Sequence, residues 1–184
     1  GVRYKIEGAE NLQYLNTPHI LISNHQSTFE TYLYTIILPP HSFVLKKQLL
    51  YIPFFGWGLA KAKPISIDRE SGRVALKKMV TQAEIRFKEG RSVIIFPEGT
   101  RAKPDAKVPY KKGAFIVAKQ LDAPILPLSI NSGRAWPKGS FLKYPGTITL
   151  TIGEPITTQD RKLGEIANET ENWIRSHIYP TLDP

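Results

Sequence analysis

Apolar residues along the 184-residue chain fall into two rhythms. In the first they stand side by side in short runs: 19–23, 42–45, 63–67, 91–96 and 124–131, each bounded by Pro, Gly, His or polar residues. Runs of that length predict strands buried on both faces. Residues 147–152 alternate apolar and polar and predict a sixth strand. Val2, Tyr4 and Ile6 alternate too, which allows an edge strand ahead of a polar turn region at 8–17. In the second rhythm apolar residues recur every three or four positions, as on one face of a helix. Phe29, Tyr32, Leu33, Ile36 and Ile37 do so in 28–38, which Pro39-Pro40 ends. Leu76, Met79, Val80, Ala83 and Phe87 do so in 71–88, which Gly90 stops. Further helices are expected at 114–121 and 158–178, the latter with Leu163, Ile166, Ala167, Trp173 and Ile174 inward. Strands alternating with helices predict one α/β domain over 1–184, with a mixed, mostly parallel sheet flanked by helices. In such a domain, loops at strand ends carry the chemistry.

Composition narrows the partners. Apolar residues make up 41% and charged residues 22%, enough for a packed core and not the balance of a disordered chain. With no Cys, disulfides, thiolate catalysis and cysteine metal sites are excluded. Lys and Arg number 25 against 16 Asp and Glu, a net charge of +9, so partners are expected to be anionic: acidic lipid, phosphorylated substrates or nucleic acid. The basic residues are scattered and no nucleic-acid motif is visible, so no nucleic-acid partner is expected. No apolar run approaches the roughly 20 residues that span a bilayer, and no signal peptide is visible. The segment 46–63, K-K-Q-L-L-Y-I-P-F-F-G-W-G-L-A-K-A-K, sets large apolar residues between lysines, with Pro53, Gly56 and Gly58 breaking its regularity. That pattern suits a membrane interface or the mouth of an acyl-chain pocket, and equally an ordinary core under a loop.

Two stretches carry candidate chemistry. At 23–30, S-N-H-Q-S-T-F-E, the strand at 19–23 gives way to a helix. His25 falls in the loop and Glu30 in the first helical turn. On one continuous helix, residues five apart diverge by roughly 140°, but a tight loop can bring them together. A carboxylate on one ring nitrogen would fix the tautomer and leave the other nitrogen as a base. Ser27-x-x-Glu30 also fits a capping box, with Ser27 as N-cap, and that alternative needs no catalysis. His19 and His41 sit at a strand edge and in a turn and are assigned no role; His177 suits a helix C-terminus. At 96–101, F-P-E-G-T-R, a strand is stopped by Pro97 and followed by a glycine, a hydroxyl and a guanidinium. Such a loop can cradle a phosphate or be a plain surface turn. Lys111 and Lys112 could meet a phosphorylated donor or simply open a solvated helix.

Together these stretches resemble the glycerolipid acyltransferase family, closest to the bacterial 1-acyl-glycerol-3-phosphate (lysophosphatidate) acyltransferases. S-N-H-Q-S-T-F-E is similar to that family's N-H-x-x-x-x-D block and F-P-E-G-T-R to its third block. Ile65-Ser66-Ile67-Asp68-Arg69 resembles the second, and Ile125-Leu126-Pro127-Leu128 the fourth. All four come in the family's order, from about residue 20 to about 130. Glu30 stands where most of the family has aspartate, and Lys63 where the second block usually begins with glycine.

The resemblance implies a glycerol-phosphate-acyltransferase-like fold and acyl transfer from acyl-CoA or acyl-ACP to the sn-2 hydroxyl of lysophosphatidic acid. His25 would be the base and Glu30 its partner. Arg69, Glu98, Gly99, Thr100 and Arg101 would form the side facing the acceptor phosphate, with Glu98 either ordering the loop or bonding the acceptor glycerol. No metal and no bound cofactor is expected. The expected surroundings are an anionic membrane surface at the cytoplasmic face of the inner membrane, with acyl carrier protein as a further partner and N-terminal membrane-associated helices missing from the chain. The irregular stretch 134–144 is expected near the acyl donor. Other acceptors, thioester hydrolysis and a non-catalytic lipid-binding module stay open. Ser27 lacks a G-x-S-x-G elbow, which argues against a serine hydrolase.

Overall fold

The computed structural model describes residues 1–52, 57, 60–68 and 71–178. Seven strands form one sheet: β1 (Val2–Glu7), β2 (Ile20–Ser23), β3 (His41–Lys46), β4 (Ile65–Ile67), β5 (Ser92–Ile95), β6 (Ile125–Ile130) and β7 (Gly146–Ile152). Their order across the sheet is β1-β7-β6-β2-β5-β3-β4. Neighbours from β6 to β4 are all parallel; β7 returns antiparallel to β6, and β1 pairs parallel to β7. The α/β reading and the mixed, mostly parallel sheet therefore hold. One consequence of this topology organises the rest: β2, β3, β4, β5 and β6 all end at the same edge, and β7 and β1 begin there.

The central strands explain the continuous apolar runs. Ile20, Leu21 and Ile22 in β2 are all fully buried, as are Val93 and Ile94 in β5 and Ile125, Leu126 and Leu128 in β6. Each is worth about 1.5–3 kcal/mol of burial, and both faces of the sheet are covered. On one face lie α2 (Gly72–Lys88), α3 (Gly113–Gln120) and α4 (Leu163–Ile178), which insert Ala75, Met79, Ala83, Phe115, Ile166 and Ile174 over Ile20, Ile22 and Val93. On the other, α1 (Phe29–Ile37) lays Leu33 and Tyr34 over Leu21 and Ile94. The stop of α2 is a Schellman closure: Gly90 N–H donates to Phe87 O and Arg91 N–H to Arg86 O, with Gly90 at φ 70°.

Three expectations are corrected in detail. The polar 8–17 region is not a simple turn but a 3₁₀ helix, Ala9–Asn16, because Leu15 buries against the α1 side of the core. The last helix begins at Leu163, not at 158: the Thr158 hydroxyl is bonded to Ala123 O and Asp160 takes φ 54°, which holds 158–162 as loop. The third parallel strand is shorter than 63–67, since Lys63 has φ 52° and residue 64 is Pro, which has no N–H to give a ladder. In 46–63, a 3₁₀ helix covers Lys47–Tyr51; the breaks expected at Pro53, Gly56 and Gly58 lie outside the described residues. No described helix is long and apolar enough to cross a membrane.

Candidate active site

The site grows from the end of β2. The loop 24–28 leaves the sheet edge beside the loop that follows β5, because β2 and β5 are parallel neighbours. Asn24 fixes the departure. Its amide nitrogen donates to Ile130 O at 2.7 Å, and its amide oxygen accepts from Ile130 N–H at 2.8 Å. A side-chain amide thus extends the β2–β6 pairing past the last strand residue. Gln26 continues the clamp by accepting from Gly133 N–H at 2.9 Å.

Between these two clamps sits His25, with Nδ1 3.0 Å from Glu30 Oε1. Glu30 is in the first turn of α1 and fully buried. Its Oε1 also accepts from the Gln26 and Ser27 N–H groups, both at 2.6 Å, and its Oε2 from the Ser132 hydroxyl at 2.8 Å. Every other partner is a donor, the environment that an ionised, acceptor-only carboxylate requires. In that setting Nδ1 of His25 carries the proton and Nε2 keeps a lone pair. The His25 ring stacks on Phe96, with centroids 4.0 Å apart and planes 17° apart, and its side chain stays 18% exposed. With Nδ1 engaged by the carboxylate, Nε2 has no hydrogen-bond partner among the described residues.

The capping-box and histidine-partner readings of Glu30 turn out to be compatible. Glu30 does reach back to the Ser27 N–H, as in a capping box, while holding the imidazole. The expectation of Ser27 as N-cap is corrected by one residue. The N-cap position is Thr28, with no side-chain cap, and the Ser27 hydroxyl accepts from Phe29 N–H at 3.0 Å. The other described histidines are engaged by backbone. Nδ1 of His19 bonds Thr17 O and that of His41 bonds Pro39 O, and burial holds both rings below the ordinary imidazole pKa. His177 bonds Trp173 O within α4.

The loop after β5 is tied to the His25 loop at two points. The His25 N–H donates to Glu98 Oε2 at 2.7 Å, and Ala102 N–H donates to His25 O at 2.7 Å. Glu98 is buried, which pushes its carboxyl up to about 8; the His25 N–H opposes that rise and the charge of Glu30 adds to it. Behind it lie the partly buried Tyr110 ring and, stacked on that ring at 4.9 Å, the Arg175 guanidinium from α4. Gly99 takes φ 72°, a conformation that side chains resist, and its N–H closes a turn onto Phe96 O at 3.0 Å. Its amide is thus spent within the turn. Among the described residues, the amides of Thr100 and Arg101 and the Arg101 guanidinium have no protein acceptor, which leaves them available to an anion. Lys138 adds a second cation, with Nζ 3.4 Å from Thr100 Oγ1 and 3.2 Å from Arg101 O. Arg69 lies outside the described residues.

The structure thus brings His25, Glu30, Glu98, Gly99, Thr100 and Arg101 to one sheet edge. Asn24, the first letter of the N-H block, joins them with a role the motif does not state, and Gln26, Ser132, Gly133 and Lys138 join them without being singled out by it. Next to them is a cavity of about 260 Å³, lined among others by Val44, Ile67, Met79, Phe96, Gly99 and Lys111. His25 does not line it; residue Phe96 does, while its ring packs with Tyr34 and Phe43 on the α1 side of the sheet.

A family model described as Acyltransferase matches residues 3–131. The chain is 40% identical over 177 residues to the 1-acyl-sn-glycerol-3-phosphate acyltransferase of Pseudomonas aeruginosa, a match covering 95% of this chain and 68% of that one. It is 35% identical over 191 residues to the Saccharomyces cerevisiae protein of the same name, covering 99% of this chain and 60% of the yeast one. The crystal structure of the 1-acyl-sn-glycerophosphate (LPA) acyltransferase, PlsC, from Thermotoga maritima superposes with a TM-score of 0.80 at 28% identity, over 96% of this chain and 71% of that one.

Proposed function

The chain belongs to the acyltransferase family, and on that premise we propose that it moves a fatty acyl group from a thioester to the sn-2 hydroxyl of 1-acyl-glycerol 3-phosphate, giving phosphatidate. The observation that carries this reading is the buried Glu30 carboxylate on Nδ1 of a partly exposed His25, beside Thr100 and Arg101, whose amides have no acceptor among the described residues. The first half suits a base and the second suits a phosphate. The names of the Pseudomonas and yeast relatives, both 1-acyl-sn-glycerol-3-phosphate acyltransferases, support the same acceptor.

In this reading the acceptor phosphate is held by the Arg101 guanidinium and the Thr100 and Arg101 amides, with Lys138 alongside and Arg69 as a further ligand. That grip aims the sn-2 hydroxyl at Nε2 of His25. As the hydroxyl oxygen attacks the thioester carbonyl, its proton passes to Nε2. Glu30 stabilises the resulting imidazolium and keeps Nδ1–H in place. When the tetrahedral species collapses, the C–S bond breaks and the thiolate leaves with the proton from Nε2. Holding both substrates in this geometry can lower the barrier by roughly 7–11 kcal/mol.

Glu98 acts on the His25 loop, not on the phosphate. A buried carboxyl engaged by the His25 amide orders the two loops against each other. The apolar cavity beneath Phe96 and Gly99 suits the acyl chain, and Lys111 at its wall suits a phosphorylated carrier, coenzyme A or acyl carrier protein. The exposed Leu49, Tyr51, Ile52 and Trp57 with Lys46 and Lys47 suit a membrane surface.

The test is a transfer assay with purified protein, one acyl thioester and a panel of lysolipid acceptors. Phosphatidate from lysophosphatidate is the expected product. Free fatty acid formed at the same rate with and without acceptor would overturn the reading in favour of hydrolysis.

A further inference from the structure

The stretch between β6 and β7 has an unusual surface. Three of four consecutive residues are large and apolar yet exposed: Phe141 fully, Leu142 at 68% and Tyr144 at 51%. The stretch is nevertheless ordered. Tyr144 N–H donates to Ala135 O at 2.9 Å and closes its base. The Ser140 hydroxyl accepts from Leu142 N–H at 3.1 Å and fixes the tip. Lys143 Nζ donates to Ser140 O and lies 4.8 Å from the Trp136 ring centroid. A folded loop that spends its hydrogen bonds on holding Phe141 and Leu142 out in water is built to place them somewhere other than water.

Its position says where. The loop leaves the carboxyl end of β6, so it stands at the same sheet edge as His25. In the sheet order, β2 and β5 carry the His25 and 97–101 loops, β6 and β7 carry this loop on one side, and β3 carries the exposed Leu49, Tyr51 and Ile52 on the other. Basic side chains accompany both flanks, and Lys138 of this loop touches Thr100 and Arg101.

We propose that the 136–144 loop docks the chain on an anionic phospholipid bilayer, with Phe141 and Leu142 entering the interface and Lys138 and Lys143 meeting lipid phosphates. The occupant is a lipid surface because the tip is apolar and fully exposed, an aromatic residue stands at its base, and its cations complement anionic headgroups. The proposal rests on the lysophosphatidate reading for its purpose: a bilayer-borne acceptor would rise between the two flanks with its phosphate passing Lys138 on the way to Arg101.

The experiment measures binding of the protein to phosphatidylcholine vesicles with and without phosphatidylglycerol, for wild type and for the double variant Phe141→Ser, Leu142→Ser. Both side chains face solvent, so the fold is not at stake. Wild type is expected to bind the anionic vesicles and to release as salt rises. The double variant is expected to bind on the order of tenfold more weakly, or worse, from the lost apolar burial. A Phe141→Trp variant is expected to be quenched by lipids brominated on their acyl chains. Turnover of a dispersed short-chain lysophosphatidate should be unchanged by the double variant, while turnover of vesicle-borne acceptor falls. Vesicle binding equal to wild type overturns the proposal, as does a loss that appears only with Tyr51→Ser, Ile52→Ser. A double variant that binds vesicles normally but loses affinity for acyl carrier protein would assign the loop to that protein and also overturn it. If wild type transfers no acyl group to any acceptor, the enzymatic reading fails, but the vesicle and quenching measurements still decide the docking.

Discussion

Replacing Glu30 by Gln removes one charge and almost nothing else. Oε1 of Glu30 accepts from two backbone N–H groups and from Nδ1 of His25, so a Gln must place its carbonyl oxygen there. Its NH2 then faces Ser132, whose hydroxyl can turn from donor to acceptor. The histidine keeps its tautomer and orientation. What is lost is the attraction between the carboxylate and the imidazolium formed during the reaction. For charges about 4 Å apart that attraction is worth ~4 kcal/mol at an effective dielectric of about 20; the residual dipole of the amide returns part of it. A loss of about 3–4 kcal/mol in the transition state alone predicts a fall in kcat of two to three powers of ten. The KM for lysophosphatidate should change little, because the charge that Glu30 balances forms only as the proton is transferred. Steady-state transfer kinetics on Glu30→Gln, beside a thermal melt, measure both. A kcat within about threefold of wild type in a normally folded variant would refute the claim that Glu30 acts on His25 electrostatically.

Other outcomes follow from the same geometry. Ser132→Ala leaves Oε2 of Glu30 buried without a partner and is expected to cost about 1–3 kcal/mol of stability, read from denaturant midpoints; an unchanged midpoint would show that the bond is idle. Arg101→Ala should raise the KM for lysophosphatidate about tenfold or more while leaving that for the thioester alone; an effect confined to the thioester would move the phosphate elsewhere. The Glu98 carboxyl, raised to about 8 by burial, favours the folded state when protonated. Its contribution is complete below the unfolded carboxyl value and is lost as pH rises toward and through 8, with a slope of up to about 1.4 kcal/mol per pH unit. Glu98→Gln keeps an acceptor for the His25 N–H and should flatten that decline between pH 5 and 8; equal slopes in urea titrations of the two proteins would count against it.

How far the sequence reveals this protein depends on the range of each contact. The strands were legible because both sheet faces are covered, so apolar runs such as 20–22 and 93–95 stand out against polar ends. The His25–Glu30 pair was legible because it closes within five residues. The 9–16 helix was not: its polar composition resembles a turn, and it is tied down by distant contacts, Leu12 and Leu15 on the core and Asn11 on Ile152 O. Ser132 lies 102 residues from the Glu30 it supports, and Asn24 lies 106 from the Ile130 it clamps. Ser132 has no local pattern to betray it, and the N-H block that contains Asn24 does not name its partner, since parallel strands bring such pairs together only once the sheet exists. Glu98 shows the remaining difficulty. Its letter sits inside the phosphate loop, yet its carboxyl belongs to the His25 backbone, and a motif records the neighbour without recording the direction.

The most direct measurement is the transfer assay on His25→Ala, with lysophosphatidate, one acyl thioester and the melting temperature recorded alongside. Removing the imidazole takes away the proton acceptor while the Asn24 and Gln26 clamps keep the loop in place. Phosphatidate formation should fall by about 10²–10⁴-fold at a near-normal melting temperature. Turnover close to wild type in that folded variant would contradict the account.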